Sequence, residues 1–231
     1  MSLVSNSLYI VSTPIGNLDD ITLRALNVMN SADIILCENT KTSVKLLSHY
    51  GVKTKLSCYN DHSSGHDRGK IISRINEGKA IALISDAGTP CLSDPGYRIV
   101  NAARKNNIDV VSIPGASSIT AALSISGLPS DHFYFEGFLP KKKGRKTRLE
   151  FLSSLDCSIV IFESPNRIIK TLNHISEYFG NRAISICREI TKLYEENYFG
   201  YLDGVVDKLN QLDKVKGEFV LIVSKEGYNI D

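Results

Sequence analysis

Five short apolar runs, Leu8–Ser12, Ile34–Cys37, Leu56–Tyr59, Ala80–Ser85 and Asp109–Ile113, are each followed by a stretch of helical periodicity. A tight turn cannot join parallel strands; a helical crossover can. The alternation therefore predicts an α/β fold, a mainly parallel sheet with helices on both faces. The expected helices are Ile21–Met29, Thr42–Tyr50, Asp67–Asn76, Asp94–Asn106 and Ser117–Ser126. Asp19 or Asp20 is the expected N-cap of the first, Gly51 closes the second, Gly78 follows the third, and Pro95 sits in the first turn of the fourth. The Gly127-Leu-Pro-Ser-Asp131 segment reads as a linker, which divides the chain into an α/β domain over 1–127 and a second over 128–231. In the second, Phe133–Leu139, Ser158–Glu163, Ala183–Glu189 and Phe219–Ser224 read as strands. Arg145–Leu155, Pro165–Phe179 and Val205–Leu212 read as helices. A mixed sheet is expected there, with antiparallel pairing around Glu195–Tyr201.

Residues 85–96, Ser-Asp-Ala-Gly-Thr-Pro-Cys-Leu-Ser-Asp-Pro-Gly, follow a buried strand. Ligands of open α/β sheets bind beyond the carboxyl ends of the strands. Gly88 lets a ligand approach the backbone, and Pro90 and Pro95 stiffen the loop. Thr13-Pro-Ile-Gly-Asn-Leu18 occupies the same position after the first strand. It holds one glycine, so the dinucleotide fingerprint is absent. Pro114-Gly-Ala-Ser-Ser118 follows a third strand. There Ser117 either caps the next helix or, with Ser118, offers free N–H groups to an anion, and the two readings are compatible. Three loops, after residues 12, 85 and 113, are thus expected to converge on one ligand. Glu38-Asn-Thr-Lys41 ends the second strand, where a carboxylate either acts on a proton or lies solvated beside a helix cap.

Residues 141–148 carry six basic side chains in eight and no acidic one. Such a run either contacts phosphates or is a solvated face. Phe138 and Leu139 just before it suit unstacked bases. The net charge of +2 is too mild to point to nucleic acid by itself. The five cysteines, Cys37, Cys58, Cys91, Cys157 and Cys187, form no CxxC pair, and reduced, largely buried thiols in a cytosolic chain are expected. The histidines show no ligand spacing, so no metal site is expected. No export signal is visible, and the apolar runs fall short of the roughly 18 residues of a membrane helix.

The motifs Thr-Pro-Ile-Gly-Asn-Leu (13–18), Ser-Asp-Ala-Gly-Thr-Pro (85–90), Asp-Pro-Gly (94–96) and Pro-Gly-Ala-Ser (114–117) together resemble the tetrapyrrole methylase superfamily. With Glu-Gly-Phe-Leu-Pro (136–140), Phe-Glu-Ser-Pro-Asn-Arg (162–167), Arg-Glu-Ile-Thr-Lys (188–192) and Lys-Gly-Glu-Phe-Val-Leu-Ile-Val (216–223), the chain more closely resembles the ribosomal RNA small subunit methyltransferase I family. The resemblance runs over about residues 7–224 and implies a two-domain homodimeric enzyme with S-adenosylmethionine in a cleft between domains. It implies methylation of the ribose 2′-hydroxyl of a cytidine in the decoding region of 16S ribosomal RNA. Two departures stand out. Asn39 and Lys41 occupy positions where the family usually has aspartate and arginine, and the latter exchange loses a bidentate fork. Ala116 stands where proline is usual.

On this reading Pro14, Gly16, Asp86, Gly88, Thr89, Ser117 and Ser118 hold the cofactor, and Phe162 and Ile190 supply apolar walls. Glu38 is the candidate base and Lys41 the group that orients a phosphate or polarises the hydroxyl. Lys141, Lys142, Lys143, Arg145 and Lys146 are expected to hold the RNA backbone, with the RNA carried in the 30S subunit. Two other readings stay open: methylation of a small tetrapyrrole, and a non-catalytic RNA- or ribosome-binding relative.

Overall fold

The computed structural model describes residues 4–60, 62–211 and 215–231. The chain forms two compact units, Met1–Ser117 and Ser118–Asp231. In the first, β1 (Ser7–Val11), β2 (Ile34–Cys37), β3 (Leu56–Cys58), β4 (Ala80–Ile84) and β5 (Asp109–Ile113) make one sheet in the order β3-β2-β4-β1-β5. All of its pairings are parallel.

Side chains along a strand alternate between faces, and here both faces are apolar. Tyr9, Val11, Ile35, Ala82 and Ile84 pack under α1 (Leu23–Ser31) and α2 (Thr40–His49), against Met29 and Leu47. Leu8, Leu36, Ile81 and Leu83 face the other way, onto Ile72 and Ile75 of α3 (Gly65–Asn76) and Ile99 of α4 (Tyr97–Lys105). The expected two-sided cover is therefore present, as a parallel sheet requires. Neighbouring strands β1 and β4 send their helices to opposite faces. That divergence is the topological switch point, where open sheets bind ligands.

Helix starts differ from the sequence reading for identifiable reasons. Thr22, not Asp19 or Asp20, caps α1, its hydroxyl accepting from Ala25 N at 3.0 Å. The two aspartates lie in a short 3-10 turn capped by Asn17. α3 starts earlier than expected, through a capping box between Ser64 and Asp67. α4 starts after Pro95, not around it. Its N-cap, Gly96, has φ 142°, and a Cβ there would lie 2.6 Å from Cys91 Sγ and 2.9 Å from Leu83 Cδ2.

The second unit contains α5 (Ser118–Ile125), β6 (Phe133–Phe138), α6 (Arg145–Ser153), β7 (Ser158–Glu163), α7 (Ile168–Phe179), β8 (Ala183–Arg188), β9 (Glu196–Tyr201), α8 (Leu202–Asn210) and β10 (Phe219–Val223). Its sheet runs β6-β7-β10-β8-β9, with β6 and β7 parallel and the other pairs antiparallel. The antiparallel pairing expected around Glu195–Tyr201 is the β8–β9 ladder. Ile159, Ile161, Ile186 and Leu221 bury one face beneath Leu152 of α6, Leu172 and Ile175 of α7, and Val205 of α8. α5 packs on β10 and joins this unit, so the division falls ahead of the 127/128 break expected from the linker. α8 starts at Leu202, earlier than expected, and Leu212, the expected helix end, lies outside the described residues.

Cys37 and Cys187 are buried, but Cys58 is exposed and Cys91 and Cys157 are half-buried, so the expectation of largely buried thiols holds for only two of the five. Burial pushes the Cys187 thiol up to about 11. Among the described residues no helix is long and apolar enough to cross a membrane.

Candidate functional site

The loops after β1, β4 and β5 meet. Thr13 and Gly88 exchange backbone hydrogen bonds, Thr13 N to Gly88 O at 2.9 Å and Gly88 N to Thr13 O at 3.1 Å. Ser12 N donates to Ile113 O at 3.2 Å, and Ser12 Oγ pairs with Thr89 Oγ1 at 2.9 Å. Thr89 Oγ1 also donates to Ala116 O at 3.3 Å, and Ser85 Oγ to Gly88 O at 3.0 Å. Two glycines make the approach possible. Gly88 has φ 79°, a left-handed conformation, and a Cβ there would press to 3.2 Å from Ile15 Cγ2. A Cβ at Gly115 would lie 2.9 Å from Ser12 Cβ. The convergence expected from three separate loops is thus a bonded structure. Pro14 and Gly88 are buried within it, Thr89 and Ser117 are half-buried, and Gly16 and Asp86 are exposed. Ser118 opens α5.

β2 borders β4 on the side away from β1, so Glu38 follows a strand end on the same sheet edge. Asn39 Oδ1 accepts from Lys41 N at 3.0 Å and caps α2. Asparagine serves this role as well as aspartate, which accommodates one departure from the family pattern. Glu38 and Lys41 are exposed. The segment is therefore a helix cap with its carboxylate in solvent, the second of the two sequence alternatives. Asp86 lies close enough to β2 to act on Cys37. Burial raises that thiol most, and the Asp86 charge adds to the shift.

In the second unit the basic run divides in two. Lys141, Lys142, Lys143 and Lys146 are exposed, with Lys146 loosely paired to Glu150 at 3.8 Å. Arg145, expected to face RNA, is instead buried. Its guanidinium donates to His174 Nδ1 at 2.9 Å, Pro140 O at 3.1 Å and Thr171 Oγ1 at 2.8 Å. Helical spacing explains this: Arg145 shares an α6 face with Leu149 and Leu152, both in the core. Arg148 also turns inward, to Glu136 at 2.7–2.8 Å and Tyr134 Oη at 2.6 Å. The hydrogen bond to Glu136 is the main cause holding its guanidinium more firmly protonated than usual.

Beneath them lies a network absent from the sequence reading. Glu163 is buried. It accepts from Ser164 N at 2.8 Å and Thr171 Oγ1 at 2.6 Å, and Arg167 Nε lies 3.3 Å away. Arg167 Nη2 donates to Leu139 O at 2.6 Å. The segments 136–140 and 162–167 therefore meet, and together they fix the start of the lysine loop. Phe162 is half-buried on the opposite sheet face, edge-on to Phe135. Ile190 is buried in a loop with φ 50° at Glu189 and 66° at Thr191. Burial would raise the Glu189 carboxyl, but Lys192 Nζ at 2.8 Å and Glu218 N at 2.9 Å hold it below the usual range.

The model of the Tetrapyrrole (Corrin/Porphyrin) Methylases family matches residues 7–205. Solved structures agree on the fold. Diphthine synthase superposes with a TM-score of 0.74 at 16% identity, covering 96% of this chain and 91% of that one. The cobalamin biosynthetic enzyme cobalt precorrin-4 methyltransferase gives 0.65 at 16% identity, covering 94% of each. Curated relatives are nearer in sequence. The ribosomal RNA small subunit methyltransferase I of Rickettsia prowazekii is 46% identical over 223 residues, covering 96% of this chain and 79% of that protein. That of Mesorhizobium japonicum is 48% identical over 219 residues, covering 94% and 74%. The chain belongs to the ribosomal RNA small subunit methyltransferase I family, within the tetrapyrrole methylases. It is a methyltransferase whose cofactor is S-adenosylmethionine.

Proposed function

We propose that this enzyme methylates the ribose 2′-hydroxyl of a cytidine in the decoding region of 16S ribosomal RNA, acting as a cytoplasmic homodimer on the 30S subunit. The observation that carries the cofactor half of this reading is the bonded union of three strand-end loops at the switch point of the first sheet. Gly16 and Asp86 stand exposed on it and Ser118 opens the helix beside it, so polar groups suited to an amino-acid and nucleoside compound lie at its surface. Pro14, Gly16, Asp86, Gly88, Thr89, Ser117 and Ser118 would hold S-adenosylmethionine, with Phe162 and Ile190 as apolar walls. When bound, it supplies a methyl group on a positively charged sulfur, and methyl transfer leaves the neutral thioether.

The protein's part is positioning and proton handling. Holding hydroxyl and methyl in line makes a bimolecular step effectively intramolecular, which supplies roughly 7–11 kcal/mol in well-oriented cases. Glu38 receives the hydroxyl proton as the oxygen–carbon bond forms. Lys41 orients a neighbouring phosphate. The exposed Lys141, Lys142, Lys143 and Lys146 bind RNA backbone, and the buried Arg145 supports them from beneath. The run of outward lysines and the Glu136–Pro140 segment favour an RNA backbone over a small tetrapyrrole.

The deciding experiment is transfer of a labelled methyl from S-adenosylmethionine to 30S subunits from a strain lacking the protein, followed by nuclease mapping. A nuclease-resistant 2′-O-methyl dinucleotide from the decoding region is expected. Cofactor binding without transfer to 30S subunits would redirect the search to another acceptor, a macrocycle first. Absence of both would leave a non-catalytic relative.

A further inference from the structure

Phe138 closes β6, an edge strand, and is 54% exposed. Large apolar side chains at such a place usually turn inward or pack on a neighbour; Phe138 does neither completely. Its ring meets Phe162 edge-on, with centroids 5.7 Å apart, and Phe162 meets Phe135 at 5.0 Å. Phe135 and Phe138 are three residues apart, which in an unbroken strand places them on opposite faces. A bulge between Phe135 and Gly137 changes that parity, with Gly137 at φ 69°. The extra residue, Glu136, is clamped by Arg148. The bulge thus brings both phenylalanines onto the sheet face that Phe162 occupies. Bulges re-aim side chains beside functional sites.

The backbone that follows the ring is also held. Leu139 O accepts from Arg167 and Pro140 O from Arg145. The next residues are the outward lysines 141–143. An aromatic ring on a rigid mount, beside a cluster of unshielded cations, has the two components of a single-strand binding surface: a stacking platform and a backbone track.

We infer that Phe138 is a base-stacking residue, against which an unpaired nucleobase of the RNA lies while the adjacent lysines hold its phosphates. This rests on the RNA reading above and adds a positioning residue to it. Stacking accepts any base. Phe138 would therefore hold the strand open and in place, while the cytidine is selected elsewhere.

The chain contains no tryptophan, which gives a direct test. Phe138→Trp places the sole indole at the proposed platform. On titration with a short unstructured oligoribonucleotide, its emission is expected to be quenched, and an abasic version of the same strand should leave it bright. Phe138→Ala is expected to weaken binding of the base-bearing strand roughly 5- to 150-fold. It should keep the wild-type slope of affinity against salt, because the lysines that neutralise phosphates are all retained. Unquenched indole in a complex that forms at wild-type strength, or equal affinity of wild type and Phe138→Ala, overturns the inference. Indole emission already buried and quencher-resistant without RNA overturns it too. Failure of the wild-type protein to bind any RNA would instead overturn the reading beneath it.

Discussion

Glu163→Ala tests whether the second unit is organised around one buried carboxylate. The carboxylate accepts from Ser164 N and Thr171 Oγ1, and Arg167 closes the set. Thr171 in turn receives Arg145. Removing the acid leaves the Ser164 amide and Thr171 hydroxyl short of an acceptor. It also leaves two guanidinium groups near each other without their shared counter-charge. Burial and the nearby Arg167 charge already hold Arg145 below the usual arginine value, and Glu163 offsets part of this. Breaking a buried ion pair by removing one partner costs about 3–5 kcal/mol. Glu163→Gln keeps an acceptor and loses the charge, so it should cost less, about 1–3 kcal/mol, the range for an imperfectly satisfied buried group. Urea unfolding followed by far-UV circular dichroism reads both, and a double-mutant cycle with Thr171→Val isolates the hydrogen bond. A coupling above about 0.5 kcal/mol is expected for residues in direct contact. A loss under about 1 kcal/mol for Glu163→Ala, with no coupling to Thr171, would refute the argument.

Gly115→Ala should drive a methyl into Ser12 Cβ and cost about 1–3 kcal/mol as overpacking; calorimetric cofactor affinity should fall with it, and an unchanged value would separate this loop from the site. Asp86→Ala should weaken cofactor binding by calorimetry, whereas Glu38→Gln should slow turnover in a methyl-transfer assay with cofactor affinity retained. Reversing Lys141, Lys142, Lys143 and Lys146 to glutamate should weaken RNA binding and flatten its salt dependence, by roughly 0.7 in slope for each single-strand phosphate no longer neutralised. Ala80 N and Lys79 hold the Asp33 carboxyl below its usual range. Its folded pKa is depressed, so its stabilisation is present at neutral pH and lost as pH falls through the folded value. Asp33→Asn should therefore be less stable than wild type at pH 7 and converge on it in acid, as thermal melts across pH would show.

The first unit was legible because each of its strands carries two signals, an apolar run and a helical pattern directly after it. Gly88 read as a ligand glycine, and in the structure it stands where a Cβ would press on Ile15; Gly115, where a Cβ would collide with Ser12, was not singled out in the sequence. The convergence of their loops could be expected because parallel strands end on one edge. The capping of α3 was also readable, since Ser64-Gly-His-Asp67 has capping-box spacing, but its serine and glycine suit a loop equally well. Residues 141–148 misled because their charge is uniform in sequence. The signal was present in the spacing: Arg145, Leu149 and Leu152 fall on one helical stripe. The acceptors of Arg145, by contrast, lie at Thr171 and His174, and no local pattern joins them to residue 145. The bulge in β6 was hidden for a related reason, because its clamp, Arg148, comes from the next helix.

The two cation types in the 141–148 segment divide its labour by chemistry. Arginines with fixed, forked donors are built into the fold, and lysines with flexible point charges are left outside. Natural variation or deliberate engineering can therefore retune attraction to a polyanion one lysine at a time, with folding almost untouched. The arginines offer no such freedom, since altering either one disturbs the mount before it alters the charge.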